Sequence, residues 1–559
     1  RSRRQGRVYH RLLDGSSMKT SDFNVPTEGD ATVQLQAALD AAAGGLLEWD
    51  VGHYTHGRLY PRDGTTVIES GGVHHHKAFN TAGLWYLQDV EGVKIHFNGA
   101  TVHGEDVAGS TSKGHNVYAN GTIDCEINDL VTDGSTPSKD GLYIGAGTGN
   151  KPNQRLKVRG GKYLRAKRNG SSLVAGLNCL LEGMETAYTT GGPGAGIDVE
   201  ANLYGMVGNN TLRRVSSHHN QNAGIINSFG VGTLVDDCDT HDNGTIGVAF
   251  SGGAGQMFAE GVYRKHVDMM GVTAFGIGTG EIFVSALPPV GTPVFFSLRN
   301  NAQRPPELNS GSYWIVSRHA SANSIILGKA VRHGEVTSFS TPGAGIMSFD
   351  PAESDIRIAA FVAGQSDRGE IRRSRAFRNG QHGFQAAGLC DFRITDDCES
   401  RDNLGYSQVH LSAARDVDID RLRVSGQGLG VVGQVGGGRF RLHDSSLKKT
   451  GGRAIALSFW TGAELRRNDV VDCARAEAGS SKAAVHLTSI LRPVVDDNRI
   501  THGADNATAI YGLLADSTVI GGTFTNNDLT GAGTNAANAL RVPTGSTCAN
   551  NTGRDGALL

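Results

Sequence analysis

A short internal repeat constrains the fold of this chain more than any other feature. The segments LRRVSSHHNQNAGI at 212–225 and VDDCDTHDNGTIGV at 235–248 align at an offset of 23 residues. Three further identities keep that offset: His218 with His241, Asn220 with Asn243, and Gly224 with Gly247. A period of roughly 20 to 30 residues predicts stacked coils, because one such coil is too small to bury its own apolar face.

The same pattern returns further along the chain, as IRRSRAFRNGQHGF at 371–384, TDDCESRDNLGYS from 395 and AELRRNDVVDCA from 463. A leucine-rich repeat is excluded, because the chain has no Leu-x-x-Leu-x-Leu consensus. With 78 Gly and only 14 Pro in 559 residues, the composition suits short strands joined by tight turns. The repeat therefore predicts an all-β right-handed parallel β-helix.

Changes of composition along the chain predict its domain organisation. In DATVQLQAALDAAAGG at 30–45, Leu35, Ala38, Leu39 and Ala42 share one helical face, which predicts a helix that caps the solenoid. The Asn-Gly rhythm then stops, and runs such as IFVSALPPVGTPVFFSL predict antiparallel strands. The predicted parts are a linker at 1–29, a first β-helical part at 30–268 with the capping helix at 30–43, a small inserted β-domain at 269–350, and a second β-helical part with the C-terminal coils at 351–559.

An alignment on the Gly that opens the last strand of each coil predicts which side chains face outward. The predicted inward set is Leu142, Ile144, Leu173, Ala175, Ile197, Val199, Ile225, Val248 and Phe250. The predicted outward set is Tyr143, Gly145, Val174, Gly176, Asp198, Glu200, Ile226, Ser228, Ala249, Ser251 and Gln385.

One coil places two acids in the outward strip, Asp198 and Glu200, whose Cα atoms should lie roughly 6.6 Å apart. Small neighbours on adjacent coils predict an open trough around this pair, of a kind that holds a sugar. An isolated pair of strand carboxylates is ordinarily solubilising charge. Here the coil order places other chemical groups nearby, and these make the pair a candidate active site. The candidate catalytic residues are Asp198, Glu200, His218, His219 and His241, and the candidate substrate-binding residues are Tyr143, Arg165, Lys167, Arg168, Tyr188, Tyr204, Ser228, Asp242 and Ser251.

Three resemblances to known families follow from these motifs. The segment LLEWDVGHYTHGRLYPRDGTTVIESGG resembles the opening coils of the pectate-lyase-like superfamily. AGIDVE at 195–200 resembles the strand motif Tyr-Gly-x-Asp-Pro-His of mannuronan C5-epimerases and alginate-type lyases, with Gly196 and Asp198 matching. Ala195, Val199 and Glu200 depart from that motif, so the family's Tyr and His have no counterpart here. The succession of capping helix, β-helix and inserted β-module is similar to bacteriophage tailspike depolymerases, which implies a homotrimer in the virion tail that acts outside the host cell on its surface polysaccharide.

Two reactions compete for the candidate site. In β-elimination at a uronic acid, a protonated Asp198 or Glu200, helped by nearby cations, neutralises the sugar carboxylate while a His or Tyr removes the C5 proton. In inverting hydrolysis, one carboxylic acid protonates the glycosidic oxygen and the other activates water, across about 6.5–9.5 Å. The epimerase-like strand favours elimination. An isomerising epimerase, a non-catalytic glycan-binding adhesin and a purely structural virion component stay open as alternatives.

Several other functions are not expected. A formal charge of -2 argues against nucleic acid, and no apolar run is long enough for a membrane span or a signal peptide. The seven cysteines form no CxxC pair and are interpreted as reduced core residues. The tract His74, His75 and His76 is not expected to bind a metal, and the sequence predicts no cofactor and no obligate metal ion. The recurring Asn220, Asn243, Asn379 and Asn403 are interpreted as structural turn residues in the left-handed region, and Asp236, Asp237, Asp396 and Asp397 as turn or surface residues.

Overall fold

In a computed structural model, the described residues fall into two compact units. Unit 1 comprises Arg1–Ala249 and Arg373–Gly380, and unit 2 comprises Phe250–Arg372 and Gln381–Leu559. The described residues are 17–26, 28–50, 52–69, 75–78, 84–103, 114–134, 140–200, 206–228, 230, 232–251, seven strands between 267 and 361, 368–387, 391–412, 416–434, 439–476, 482–502 and 510–558.

Unit 1 is built from parallel strands that repeat once per coil, in the order sheet A, sheet B, sheet C. Its strands in sheet A are Met18–Lys19, Leu46–Trp49, Thr66–Glu69, Lys94–His96, Glu126–Asn128, Lys157–Arg159, Leu180–Glu182, Thr211–Arg213 and Thr233–Asp236. Those in sheet B are His53–His56, His75–Ala78, Thr101–His103, Val131–Asp133, Lys162–Leu164, Glu185–Ala187, Ser216–His218, Asp239–His241 and Arg375–Phe377. Those in sheet C are Trp85–Gln88, Val117–Asn120, Leu142–Gly145, Ser171–Leu173, Ile197–Glu200 and Ile225–Ser228, and a small sheet D contains Asn153–Gln154, Gly176–Leu177 and Val207–Gly208.

Unit 2 repeats the same coil. Its strands in sheet A are Arg368–Arg372, Asp391–Thr395, Asp416–Asp420, Arg439–His443, Gly462–Arg466, Val494–Asp496, Thr523–Thr525 and Thr547–Ala549. Those in sheet B are Glu399–Arg401, Arg423–Ser425, Ser446–Lys448, Asp469–Val471 and Arg499–Thr501. Those in sheet C are Phe384–Ala387, Ser407–Ser412, Leu429–Gln434, Ile455–Ser458, Ala483–Thr488, Tyr511–Ala515 and Leu540–Arg541, and a strand Val248–Ser251 spans the unit boundary. The protein is thus an all-β right-handed parallel β-helix, which confirms the fold class predicted from the repeat.

Alternation along each strand creates the core. Ile197 and Val199 are fully buried, as are the other residues predicted to point inward that lie on strands of sheet C, namely Leu142, Ile144, Leu173, Ile225, Val248 and Phe250. Ala175 is buried but lies beyond the strand Ser171–Leu173. Between sheets A and B the chain turns through one residue in the left-handed region, such as Arg214 at a φ of 51°. A second left-handed residue follows sheet B in each of several coils, such as His219 at 53° and Asp242 at 54°.

The recurring asparagines are structural, but not for the reason that the sequence suggests. The left-handed residue precedes each of them, and the asparagine side chain is buried. Asn220 Nδ2 donates to Asn243 Oδ1 at 2.9 Å, and Asn243 Nδ2 donates to Asn379 Oδ1 at 3.0 Å. These bonds link successive coils of unit 1 and satisfy polar groups that have no access to water.

A helix at Thr32–Ala41 places Leu35, Ala38 and Leu39 in the core, and a short 3-10 helix lies at Thr20–Phe23. A second 3-10 helix lies at Ala536–Asn538 in unit 2. Unit 2 also contains an antiparallel sheet of seven strands, in the part of the chain where the repeat is interrupted. These strands are Val267–Phe275, Ile282–Val284, Pro293–Leu298, Gly311–His319, Ser324–Lys329, His333–Glu335 and Ile356–Phe361.

The cysteines follow the prediction at five of the six described positions. Cys125, Cys179, Cys238, Cys398 and Cys473 are buried free thiols, and burial raises the pKa of Cys179 to about 12. Cys548 contradicts the prediction, because it lies exposed on a strand near the C-terminus. Cys390 lies outside the described residues. Within the described part of the chain, no helix has the length and apolar character needed to cross a membrane.

Candidate active site

The strand Ile197–Glu200 in sheet C of unit 1 carries both candidate carboxylates. Ile197 and Val199 enter the core, so Asp198 and Glu200 point to the opposite face of the sheet. Along that face Asp198 is in register with Ser172 on one side and Ile226 on the other, and Glu200 with Ser228. The predicted open trough is wrong at Asp198, which is only 4% exposed, whereas Glu200 on the same face is partly exposed.

Burial gives Asp198 an unusual protonation state. It raises the pKa of Asp198 to about 7, assisted by the neighbouring charge of Glu200 and opposed by the positive charge of Arg168. A carboxyl with this pKa holds its proton much of the time at neutral pH. Two carboxyls on one face, of which one is held neutral, form the pattern from which acid and base roles arise.

Asn169 fixes the position of the Asp198 carboxyl. Its Nδ2 donates to Asp198 Oδ2 at 3.0 Å and to Ser172 Oγ at 3.0 Å. Its Oδ1 accepts from the Ala195 backbone at 3.0 Å, so the amide cannot flip without losing these bonds. Because Oδ2 of Asp198 is an acceptor here, the dissociable proton of the carboxyl belongs on Oδ1.

A second buried carboxyl, Asp140, contacts two basic side chains of the site, Arg168 and His115. Its Oδ1 accepts from the Asn169 backbone at 3.1 Å and lies 3.7 Å from Arg168 Nε. Its Oδ2 lies 2.9 Å from His115 Nδ1, the same nitrogen that accepts a bond from the Asp140 backbone at 3.1 Å. Asp140 is fully buried and Arg168 is partly exposed, so Arg168 presents one positive charge at the rim of the site beside Asp198.

A row of aromatic side chains continues the site toward the N-terminal coils. Tyr86, Tyr118, Tyr143 and Ser172 are in register on successive strands of sheet C. The rings of Tyr86 and Tyr118 stack at 4.2 Å, and His115 stacks on Tyr143 at 4.3 Å. Burial raises the pKa of Tyr143, so its phenol keeps its proton and can donate it.

The sequence alignment of the coil before Asp198 is displaced by two residues. Ser172 pairs with Asp198 and with Tyr143, whereas the Gly alignment puts Val174 and Gly176 into that strip. Gly176 instead lies in sheet D, paired with Asn153 and Val207. The strand that pairs with Ile197–Glu200 begins after Gly170, which is the Gly that the alignment missed.

The candidate histidines lie on a different sheet from the carboxylates. His218 ends the sheet B strand Ser216–His218, and His219 lies in the turn that directly follows it. His241 ends the next sheet B strand, Asp239–His241. His218 and His241 stack at 4.9 Å, and Tyr188 stacks on His219 at 5.2 Å. In the described part of the chain, these three histidines contact one another and Tyr188.

Several other predicted site residues lie with the histidines of sheet B or apart from both groups. Asp242 is ion-paired with Arg378 at 2.7 Å, which together with His241 holds the pKa of Asp242 far below its usual range. Arg165 is paired with Asp133 beside sheet B, and Lys167 is exposed. Ser228 is in register with Glu200 and stays with the site, whereas Tyr204 and the side chain of Ser251 lie outside the described residues.

Among the described residues, two groups of side chains have ligand atoms close enough to share a cation. They are His219, His241 and Asp242, and Asp420, His443 and Asp444, with atoms within 4.8 Å of one another. Arg378 and Arg467 already form two-pronged ion pairs with Asp242 and Asp444, respectively. The prediction for Asp236 is wrong, because its side chain is fully buried between Arg213 and Arg373.

Sequence reasoning missed four residues of the site: His115, Asp140, Asn169 and Ser172. Asp140 and Asn169 directly precede Gly141 and Gly170, the residues that open two successive strands of sheet C. The signal was therefore a polar residue one position before the repeated Gly. It is visible only when the coils are aligned in the register of the structure.

No protein-family model matches this chain. No curated protein matches it. Among solved structures, it is similar to the A-module of mannuronan C-5 epimerase AlgE4 from Azotobacter vinelandii, at 14% identity over 95% of this chain and 99% of that one, with a TM-score of 0.39.

Two phage proteins are also similar in structure. The Dettilon tailspike protein gp208 matches at 11% identity over 91% of this chain and 69% of that one, with a TM-score of 0.40. The tailspike gp49 of Acinetobacter baumannii bacteriophage Fri1, a capsular polysaccharide depolymerase, matches at 9% identity over 90% and 63%, with a TM-score of 0.34. These are the two classes that the sequence resembles. Likeness at this level assigns no activity, which must come from the chemistry of the site.

Proposed function

We propose that the protein is a polysaccharide lyase that cleaves an acidic bacterial surface glycan, O-antigen or capsule, by β-elimination at a uronic acid. One observation carries the proposal. A buried carboxyl with a pKa of about 7, Asp198, lies beside the cation Arg168 on the outward face of the β-helix. A neutral acid and a cation are the partners that a sugar carboxylate requires, because they stabilise the charge that spreads onto it when the C5 proton leaves.

The remaining roles fall to groups on the same sheet. Glu200 is the base that takes the C5 proton. Its negative charge opposes ionisation of Asp198, so the two carboxyls on this face differ in protonation and can take opposite roles. Tyr143, whose pKa burial raises, donates its proton to the leaving glycosidic oxygen. The C4–O4 bond then breaks, a C4–C5 double bond forms, and the products are a new reducing end and an unsaturated uronate. This assignment replaces the histidines expected from the sequence.

The test is to incubate the protein with acidic and neutral capsular and O-chain polysaccharides while following ultraviolet absorbance of the double bond and reducing ends together. Both signals should rise on an acidic glycan. Asp198→Asn should lower the rate about 10²-fold or more. Asp237→Asn, which removes an exposed carboxylate from a turn of the same unit, is the matched control and should leave the rate unchanged.

Hydrolysis is the second candidate, and the position of Asp198 and Glu200 on one strand face supports it. In that reaction Asp198 would be the general acid and Glu200 the base that activates water. Reducing ends would then rise without any double-bond absorbance. Tight binding of an acidic glycan with neither signal would contradict both reactions and favour the adhesin.

The proposal extends to the biological setting, a tailspike-like homotrimer in a virion tail that acts at the host surface. The succession of capping helix, β-helix and inserted antiparallel strands supports it, and a closed symmetric assembly would present three equivalent grooves. Light scattering should then give a mass three times the 58.9 kDa of one chain. A monomer mass at micromolar concentration would contradict this part of the proposal.

A further inference from the structure

Unit 2 contains a cavity on the outward face of its own sheet C that the proposed reaction does not use. It has a volume of about 150 Å³ and is lined by Tyr406, Leu429, Val432, Gln434, Arg453, Ala456, Leu457, Ser458, His486 and Thr488. Sites for drug-sized ligands measure about 300–1,000 Å³, so this cavity matches one small ring rather than an extended ligand.

Register explains why these side chains converge. Val432, Ala456 and His486 are in line on successive strands, and Ser458 and Thr488 form the next line. The first line gives a largely apolar floor, and the second gives two hydroxyls beside it. Sugars require this combination, because their C–H faces pack on apolar surface while their hydroxyl groups need hydrogen-bond partners.

Arg453 gives the cavity its charge. Its Nη1 donates to His486 Nδ1 at 2.5 Å, so that nitrogen is an acceptor and the imidazole proton is on Nε2. Nε2 lies 3.4 Å from Thr488 Oγ1, so Oγ1 can accept from Nε2 while the Thr488 hydroxyl keeps its own hydrogen for another partner. Burial and the charge of Arg453 lower the pKa of His486 to about 4, so His486 stays neutral at physiological pH.

Among the described residues that line the cavity there is no Asp or Glu, and the charge of Asp516 acts on His486. The lining therefore combines a guanidinium with neutral hydrogen-bonding groups, namely Gln434, Ser458 and Thr488. An arginine fork binds a carboxylate through two parallel bonds. The described lining supplies no carboxylic acid of the kind that glycosidic cleavage uses.

We propose that this cavity is a second, non-catalytic site that binds one carboxylate-bearing sugar unit, a hexuronate, with Arg453 on its carboxylate and Tyr406 at its rim. The inference rests on the proposed function for the acidic character of the polymer. It goes further by assigning a binding role to unit 2. A polysaccharide depolymerase gains from such a site because two points of attachment on one polymer raise its effective local concentration.

The test uses the full chain with the first site silenced by Asp198→Asn and Arg168→Gln. Glucuronate, galacturonate and mannuronate are titrated against it, with glucose, galactose, mannose and inorganic phosphate as comparisons, and binding is followed by calorimetry or ligand-detected NMR. At least one hexuronate should bind. Its neutral parent hexose should bind about tenfold more weakly or worse, since a charge-assisted bond is lost.

Two further variants test whether the hexuronate binds in this cavity. Arg453→Gln should weaken hexuronate binding about tenfold or more. Tyr406→Ala, at a side chain that is 59% exposed, removes the rim without disturbing the core and should weaken binding about fivefold. Arg439→Gln is the matched control, because Arg439 is exposed on sheet A of the same unit and its loss changes the net charge equally.

Three results would overturn the inference: no hexuronate binding in the silenced chain, binding that Arg453→Gln and Tyr406→Ala leave unchanged, or phosphate binding as strong as that of the hexuronate. None of these results bears on the proposed lyase activity, which is measured by product formation in the protein without the two silencing substitutions. Conversely, Arg453-dependent hexuronate binding in a protein that releases no product would sustain this site and remove the proposed reaction.

Discussion

At the scale of single residues, the chemistry depends on one carboxyl whose surroundings keep it protonated. The sequence could place Asp198 and Glu200 on the outward face, because strand alternation requires it. It could not show that Asp198 is buried, or that Asn169 and Arg168 on the preceding coil act on its carboxyl. Those contacts depend on the register between coils, which the alignment misplaced by two residues because it missed Gly170.

Activity should depend on pH through Asp198. If the protonated form is required, kcat/KM should fall about tenfold per pH unit above a midpoint near 7, the pKa of this carboxyl. A pH-rate profile on the acidic polymer checks this. A descending limb that begins two or more units higher would show that another group is the neutraliser.

The free energy of unfolding should also depend on pH through Asp198, and the raised pKa of this carboxyl fixes the direction of the change. The unfolded carboxyl titrates near about 3.9, so folding takes up a proton between that pH and about 7. The stabilising contribution of neutral Asp198 is full below about pH 3.9 and is lost as the pH rises through about 7. Asp198→Asn cannot ionise, so its stability relative to wild type, measured in urea, should increase from pH 5 to pH 8. A constant difference would contradict the burial argument.

Arg168 should matter specifically for an acidic substrate. Arg168→Gln removes the cation beside Asp198 and should lower kcat/KM on the acidic polymer by about 10²–10³. Lys162→Gln is the matched control, because Lys162 is an exposed cation of sheet B, paired with Glu185. Equal rates for wild type and Arg168→Gln would sink the carboxylate-binding role.

At the scale of elements, each coil is held to the next by buried polar ladders as well as by its apolar core. In unit 2 the ladder comprises Asn468, Asn498, Asn527 and Asn551, joined by amide hydrogen bonds of 2.9–3.0 Å. The sequence could show that asparagine recurs at one place in the coil. It could not show that the side chains point inward, because an Asn at a turn is equally consistent with a left-handed backbone.

Breaking this ladder in the middle should destabilise the protein. Asn498 accepts from the backbone and side chain of Asn468 and donates to Asn527, Leu465 and Asp496. Asn498→Ala leaves several of those buried groups unsatisfied and should lower the free energy of unfolding by about 3 kcal/mol. Gln427→Ala, at an exposed amide side chain of the same unit, should change it by about 0.5 kcal/mol or less. Urea unfolding of both variants measures the difference, and equal costs would show that the ladder contributes nothing.

At the scale of the whole molecule, the fold class could be predicted from the sequence because the repeat runs along the chain. Each coil must bury a similar apolar face, and each does so by stacking on its neighbours. Loops that leave the coil do not share that constraint, so the repeat predicts neither their contacts nor the side chains that they place on the site. His218 and His241 show the limit. They repeat in register and stack on each other, yet their sheet is not the one that carries Asp198.

The antiparallel strands between the coils should be dispensable for the site in unit 1. Within that unit Asp239, Thr240 and His241 pair with Arg375, Ala376 and Phe377, so the coil continues in register although some 130 residues separate these strands in the sequence. The preceding coil joins its strands Ile225–Ser228 and Thr233–Asp236 through only four residues. Removing 252–367 and joining the ends through a Gly-Ser linker of about that length should therefore keep the parallel fold.

The shortened chain should keep the β-rich circular dichroism spectrum and cleave the acidic polymer within about twofold of the full-length rate, since no residue of the Asp198 site lies in the deleted segment. The measurement pairs the spectrum with product formation. Loss of both would mean that the segment is needed for folding of the coils. A folded chain without activity would mean that the segment takes part in holding the polymer at Asp198, and the boundaries of the site would have to be redrawn to include it.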